Sequence, residues 1–264
     1  MLSQGPGEDT RSQPHAGAER EAESGGFGLL LLDEWMVAFP GLVAGTTVRP
    51  ADFGLRSHAT AWEISERFEA LGRSLGFSTF AVARQVHGAE VLLVAEAGPP
   101  GLIICGEGDG LASDRAGLLM TVTIADCVPV FLLDPQARAA ALLHAGWRGA
   151  AEGILGSGVD VLSGVTGNTP AEFLLHLGPA ICGACYEVGP EVLSVFGTSA
   201  RDPGPLDLRD RLSADAIRSG IPRRAISRSS RCTACDPDRL HSHRASGGAA
   251  GRMIAFIGHR TRVA

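Results

Sequence analysis

Between residues 80 and 144 the chain sets apolar runs so close together that few folds can accommodate them. Segments 80–86, 90–94, 102–104, 118–124, 128–133 and 139–144 all read as strands. Several consecutive runs are separated by six residues or fewer. A helical crossover between parallel strands needs a dozen or more. Antiparallel or mixed pairing is therefore expected. Further strands are expected within 29–39 and over 42–48, 173–177 and 253–257. Helices are expected over 59–76, 150–162, 190–196 and 208–219. In the first of these Ile64, Phe68, Leu71 and Leu75 form one stripe, and Gly76 follows as a stop. Strands grouped with strands, flanked by helices, indicate an α+β fold rather than a doubly wound sheet. Residues 1–26 are rich in Gly, Glu, Ser, Gln and Pro without periodicity and read as a disordered tail. Residues 27–264 then form a single domain.

Charge narrows the function classes. The net charge is −6 and argues against nucleic-acid binding as the main task. All 23 basic residues are arginine, so lysine Schiff-base and P-loop lysine chemistry are excluded. Residues 1–200 hold 10 Arg against 23 acids, whereas residues 201–264 hold 13 Arg against 6. The arginine-rich segment can hold phosphate or carboxylate, or pair with the acidic rest of the chain. The sequence offers no apolar run of membrane-spanning length, and its start has no apolar core of a secretory signal. A cytoplasmic protein with reduced thiols and no membrane partner is expected.

Three residues stand at or beside ends of apolar runs: His87, Cys127 and His144. Two imidazoles and a thiolate suit tetrahedral zinc with one position left for water, phosphate or substrate. They would serve equally as a buried cysteine and two ordinary histidines. After His144, the run Trp147-Arg148-Gly149 opens a proposed helix, where Arg148 could hold an anion or lie at the surface. Cys182, Cys185, Cys232 and Cys235 form two C-x₂-C pairs. The 46 residues between them exceed the roughly 15–20 of common zinc sites, which argues against a joint Cys₄ centre. His241, His243, Arg244 and Arg252 form a plausible substrate edge. Gly106–Gly110 reads as a turn carrying one acid of interest, Asp109. The G-x-S-x-G, H-E-x-x-H and H-x-E…P-C-x-x-C signatures are absent from the sequence.

These segments resemble the bacterial laccase-domain family, also described as polyphenol-oxidoreductase or purine nucleoside phosphorylase-like. The matching segments are Gln85-Val86-His87-Gly88, Gly108-Asp109-Gly110, Ala125-Asp126-Cys127-Val128-Pro129 and His144-Ala145-Gly146-Trp147-Arg148-Gly149. Gly178-Pro179-Ala180-Ile181-Cys182, Cys185-Tyr186-Glu187-Val188, Cys232-Thr233, Ser242-His243-Arg244 and Gly251-Arg252-Met253 follow in the family's order, and together they cover about residues 35–260. The resemblance implies a four-layer α/β–β/α fold and a zinc site at His87, Cys127 and His144. It implies phosphorolysis of adenosine, inosine, guanosine and methylthioadenosine, and deamination of adenosine. "Laccase" implies copper, but eight histidines do not supply the clusters of a multicopper centre.

On this reading Asp109, Asp126 and Arg148 are the catalytic candidates, the two acids as proton shuttles. Arg49, Arg148, Cys232, His243 and Arg244 are the substrate-binding candidates. Two edges depart from the family pattern: Thr47-Val48-Arg49-Pro50 replaces its Thr-Arg-Gly-Gly, and Ala245 follows Arg244 where a second Arg is usual. Nucleosides and phosphate are the expected partners of a monomer or weak homodimer. Two other readings use the same trio: a hydrolase acting on a cell-wall precursor, with Cys127 as nucleophile and His144 as base, and a zinc-stabilised binding module without turnover.

Overall fold

In the computed structural model, which describes residues 19–54 and 60–261, the short connections carry the chain back and forth between two sheets. In order the chain forms β1 (Arg20–Ser24), β2 (Phe27–Leu31), α1 (Asp33–Ala38), β3 (Leu42–Thr47), α2 (Ala61–Leu75), β4 (Thr79–Arg84), β5 (Val91–Leu93), β6 (Gly101–Glu107) and β7 (Gly110–Ser113). There follow β8 (Leu118–Ile124), β9 (Val128–Asp134), β10 (Ala139–Ala145), α3 (Trp147–Glu152), α4 (Ile154–Thr166), β11 (Leu174–Leu177) and β12 (Glu187–Val188). The chain ends with α5 (Pro190–Val195), β13 (Gly204–Pro205), α6 (Leu208–Arg218), β14 (Ile226–Arg228) and β15 (Met253–His259).

One sheet runs β1-β2-β3-β15-β8-β4-β6 and the other β14-β11-β9-β10-β7-β5. Strands β4, β6 and β8 thus alternate along the chain with β5, β7 and β9 of the opposite sheet. A strand of the opposite sheet replaces the crossover helix, so β4 lies parallel to both β6 and β8, and β5 parallel to β7. The β11–β14 pair is also parallel. The other ladders of the two sheets are antiparallel. The expected mixed, largely antiparallel α+β fold is what forms.

Three apolar interfaces hold four layers together. Helix α2 lays Ile64, Phe68, Leu71 and Leu75 on Phe80, Leu119, Ile254 and Phe256 of the seven-stranded sheet. Between the sheets lie Met120, Val122, Phe131, Leu142 and Ala255. On the far face Leu155, Val159 and Leu162 of α4 and Leu212 of α6 cover Leu132, Leu143 and Leu175. Burying each such side chain contributes roughly 1.5–3 kcal/mol. Strands β9, β10 and β15 are buried along their whole length, because both faces are covered. Helix α2 starts at a Thr60–Glu63 capping box and stops at Gly76, whose φ of 80° is left-handed.

Several expectations need correction. Residues 20–24 do not belong to a tail: they pair with β2 through a two-residue Gly25-Gly26 turn with φ of 59° and 84°. Such a turn favours glycine because both residues need positive φ. The tail assignment for residues 1–18 lies outside the described residues. Of residues 29–39 only 29–31 are strand. Asp33 and Glu34 then start α1, where acids suit a helix N-terminus. The expected 150–162 helix is two helices, broken at Gly153 with φ 90°. Strands β7 and β14 were too short to show a period.

Candidate functional site

Cys127 occupies the sheet-to-sheet connection between β8 and β9. Asp126 before it has φ 87°, and this turn delivers Cys127 to the start of β9. The β9–β10 hairpin register sets Ala145 against Val128 and His144 against Pro129, so His144 comes beside Cys127. His87 follows β4 with φ 63°. One ligand atom from each of His87, Cys127 and His144 lies within 4.8 Å of the others. The two imidazole rings stand edge to face, 4.9 Å apart.

Asp109, fully buried just before β7, organises this trio. Its Oδ2 accepts from the backbone N–H groups of Val86 at 3.0 Å and Gly88 at 2.8 Å, on either side of His87. Its Oδ1 lies 2.8 Å from His144 Nδ1, and its carbonyl accepts the His144 N–H at 2.7 Å. Nδ1 is thereby taken, and Nε2 is left for the trio. Gly146 closes the centre from one side. A Cβ there would come within 3.1 Å of Cys127 Sγ and 3.2 Å of His87 Cδ2.

Charge and burial compete at this centre. Burial raises the Cys127 pKa, but His144 and His87 outweigh it and bring the thiol down to about 6. Burial lowers the His144 pKa, but Cys127 and Asp109 outweigh it and raise the imidazole to about 9. Burial also opposes ionisation of Asp109. His144 and the N–H groups of Gly88 and Val86 prevail, and its carboxyl titrates below the usual range. Both shifts favour the charged forms of Cys127 and His144, and a bound cation would take the place of the proton between them.

Both acids proposed as proton shuttles are already engaged. Asp109 has the partners just described. Asp126 accepts from Thr233 Oγ1 at 2.6 Å and from the Arg244 N–H at 2.7 Å. Both oxygens of each carboxylate are bonded to protein donors, which holds these two side chains in place beside the centre. Arg148 is exposed, with its guanidinium 4.4 Å above the Trp147 ring. Helix α3 has six residues and ends at Gly153, too short for a strong dipole. Any anion there would depend on the Arg148 side chain.

Arg244 is exposed. Its guanidinium donates to the Glu187 carbonyl at 2.9 Å and lies 5.1 Å above the Tyr186 ring. His243 is exposed beside it. Tyr186, which no sequence argument had singled out for the site, belongs to this wall. Burial first, and then the Cys127 charge, raise its phenol pKa, while Arg244 and Arg148 oppose them. Tyr186 therefore lies within electrostatic reach of Cys127, Arg148 and Arg244. Arg49 lies just past the end of β3. Its side chain donates to the Pro237 carbonyl at 2.5 Å and lines a surface cavity of about 530 Å³ with Glu21, Asp238 and Arg239. His87, Cys127 and His144 do not line that cavity.

Cys232 is buried in a cluster of four cysteines. The sulfurs of Cys182, Cys185, Cys232 and Cys235 lie within 4.8 Å of one another. The long sequence gap is bridged because β11 and β14 run parallel, and a further bridge pairs Ala180 with Cys232. The intervening residues form α5, α6 and the β12–β13 pair, out of the way.

Comparison with known proteins adds to this picture. Residues 43–260 match the family model described as multi-copper polyphenol oxidoreductase laccase. A purine nucleoside phosphorylase, YlmD, from Geobacillus stearothermophilus is 31% identical over 251 residues, covering 84% of this chain and 92% of the relative. An adenosine deaminase, RL5, from an unknown prokaryotic organism is 33% identical over 161 residues, covering 56% of this chain and 61% of that protein. The crystal structure of YlmD from Geobacillus stearothermophilus superposes with a TM-score of 0.84 at 29% identity, over 94% of this chain and all of that one.

Proposed function

This chain belongs to the multi-copper polyphenol oxidoreductase laccase family, and from that premise we propose that it is a zinc-dependent purine nucleoside enzyme. It splits inosine, guanosine, adenosine and methylthioadenosine with phosphate, and deaminates adenosine. The observation that carries the reading is the His87–Cys127–His144 trio with Asp109 fixing one imidazole. The relatives named as phosphorylase and deaminase supply the substrate class.

The residues present fit zinc. One thiolate and two imidazoles converge, the second ring nitrogen of His144 is held by a carboxylate, and three protein ligands leave a position open. When bound there, zinc would supply Lewis-acid polarisation. Asp109 keeps His144 in the tautomer that frees Nε2. Arg148 and Arg244 bind phosphate through their guanidinium forks. In phosphorolysis a phosphate oxygen forms a bond to C1′ while the bond from C1′ to the purine nitrogen breaks. The departing purine nitrogen takes up the proton that the attacking hydrogen phosphate gives up. Tyr186, protonated at neutral pH, offers a hydroxyl to the nucleoside.

The test is incubation of inosine or adenosine with phosphate, with and without a chelator, and separation of the products. Hypoxanthine plus ribose 1-phosphate is expected from inosine, and some inosine from adenosine. Metal-loaded protein that releases neither free base nor deaminated nucleoside overturns the proposal. Elemental analysis separates zinc from copper.

The thiolate–imidazolium pair backed by Asp109 also favours a second reading, a cysteine hydrolase acting on a cell-wall precursor. That reading requires Cys127 to be metal-free and alkylatable in the active protein. Protection of Cys127 from iodoacetamide by the bound metal refutes it.

A further inference from the structure

We infer that Cys182, Cys185, Cys232 and Cys235 form a second metal site, a closed tetrathiolate zinc centre that clamps the loops beside the first one. The inference goes beyond the proposed nucleoside chemistry and does not depend on it. Four sulfurs within 4.8 Å of one another match the spacing around one tetrahedral ion. A zinc–sulfur distance of about 2.3 Å places the sulfurs about 3.8 Å apart. The Cys185 and Cys235 sulfurs are 3.4 Å apart. The Cys182 N–H donates to Cys232 Sγ at 3.2 Å, so backbone from one pair already supports a sulfur of the other. Such N–H···S contacts favour thiolates. Both pairs sit in tight turns: the Cys185 and Tyr186 N–H groups donate to the Cys182 carbonyl at 3.0 Å, and the Asp236 N–H donates to that of Cys232 at 3.2 Å.

Four soft ligands with tetrahedral spacing select zinc or iron over hard cations, and a set with no open position is structural rather than catalytic. The position of the cluster tells what it would hold. Thr233, inside the second C-x₂-C, donates to Asp126 Oδ1, and the Ile181 N–H, next to Cys182, donates to the Asp126 carbonyl at 3.0 Å. Asp126 turns the chain into Cys127. Tyr186 follows Cys185 directly. A metal joining the two turns therefore fixes the segment that presents Cys127 and the wall that carries Tyr186. Without it, two separate loops would have to be held there by a few hydrogen bonds.

The experiment is metal stoichiometry on the full chain, purified without chelator. The wild type is compared with His87→Ala, which empties the first centre and leaves every thiol in place, and with Cys182→Ser/Cys185→Ser. We expect His87→Ala to keep one equivalent of zinc, and the double variant to lose one equivalent relative to wild type. Cobalt exchanged into His87→Ala should give the intense charge-transfer absorption of four thiolates. Should the double variant not fold, the stoichiometry and cobalt spectrum of His87→Ala decide alone. Folded His87→Ala without metal overturns the inference. So does titration of four free thiols, instead of six, in unreduced denatured chelator-treated wild type, because a disulfide between Cys185 and Cys235 would then occupy the place. Nucleoside turnover reads independently: an inactive protein that retains the second equivalent sinks the proposed function alone, and an active one without it sinks this inference alone.

Discussion

Replacing Asp109 with Asn tests the trio without touching a ligand. The two side chains are nearly equal in size, which matters at a position that is fully buried. The N–H groups of Val86 and Gly88 both point at Oδ2, so the amide must keep its oxygen there. Its NH₂ then faces His144 Nδ1 as a donor. Nδ1 can accept only when the ring proton moves to Nε2, and that proton occupies the lone pair a metal needs. A charged hydrogen bond contributes roughly 1.5–3 kcal/mol, or about 10- to 150-fold in binding. The lower part of that range matches the 10- to 100-fold usual for loss of a partner that orients a metal ligand. Zinc affinity of Asp109→Asn should therefore fall by about 10- to 150-fold. Competition with a chromophoric chelator measures it, and circular dichroism checks that the fold persists. A folded Asp109→Asn protein with wild-type zinc affinity would refute the argument, because His144 would then not need its carboxylate.

Three further outcomes follow from particular contacts. Gly146→Ala adds a methyl group 3.1 Å from Cys127 Sγ at an ordinary φ of −79°, so the crowding falls on the trio. Overpacking of about 1–3 kcal/mol should appear as weaker metal binding with an intact fold; unchanged zinc affinity by the same competition assay would show that the centre has room. Arg148→Lys should keep its metal yet need about 10- to 150-fold more phosphate for phosphorolysis, since an ammonium cannot reproduce the two parallel bonds of a guanidinium; superimposable phosphate titrations would remove Arg148 from the site. His259 is buried with neither ring nitrogen hydrogen-bonded, and burial, aided by Arg138, lowers its pKa to about 4. The unfolded chain binds that proton below about pH 6.5 and the folded one only near pH 4, so stability should be lost as pH falls through this window, by up to about 3 kcal/mol. Thermal melts of His259→Leu should lose that slope, and equal slopes in both proteins would contradict it.

The three residues of the trio stood out because each lies at or beside the end of an apolar run, where a side chain reaches a sheet rim, but only the family resemblance pointed to zinc there. Helix α2 was legible as well, since its stripe and its glycine stop are local features. The two C-x₂-C pairs were read correctly as motifs and wrongly as strangers to each other. Spacing along the chain measures proximity only where the intervening residues form a loop. Here α5 and α6 fold away, and the parallel β11 and β14 return the second pair to the first. The hydrogen-bond partners that hold Asp109 and Asp126 were not legible, because they come from segments up to 118 residues away. Tyr186 entered the site through the same folding of distant loops.

Sequence by itself determined most of the strand content and the layer-forming apolar faces, because these rest on residue type and short-range period, and it singled out the three residues of the trio. Only the tertiary structure decided which strands are neighbours. A connection of a few residues can make a hairpin, as between β9 and β10, or step across to the facing sheet, as between β4 and β5. Both routes leave similar local patterns. What separates them is whether the buried side chains of each strand find partners in its own sheet and across the interface, and that depends on the whole chain at once.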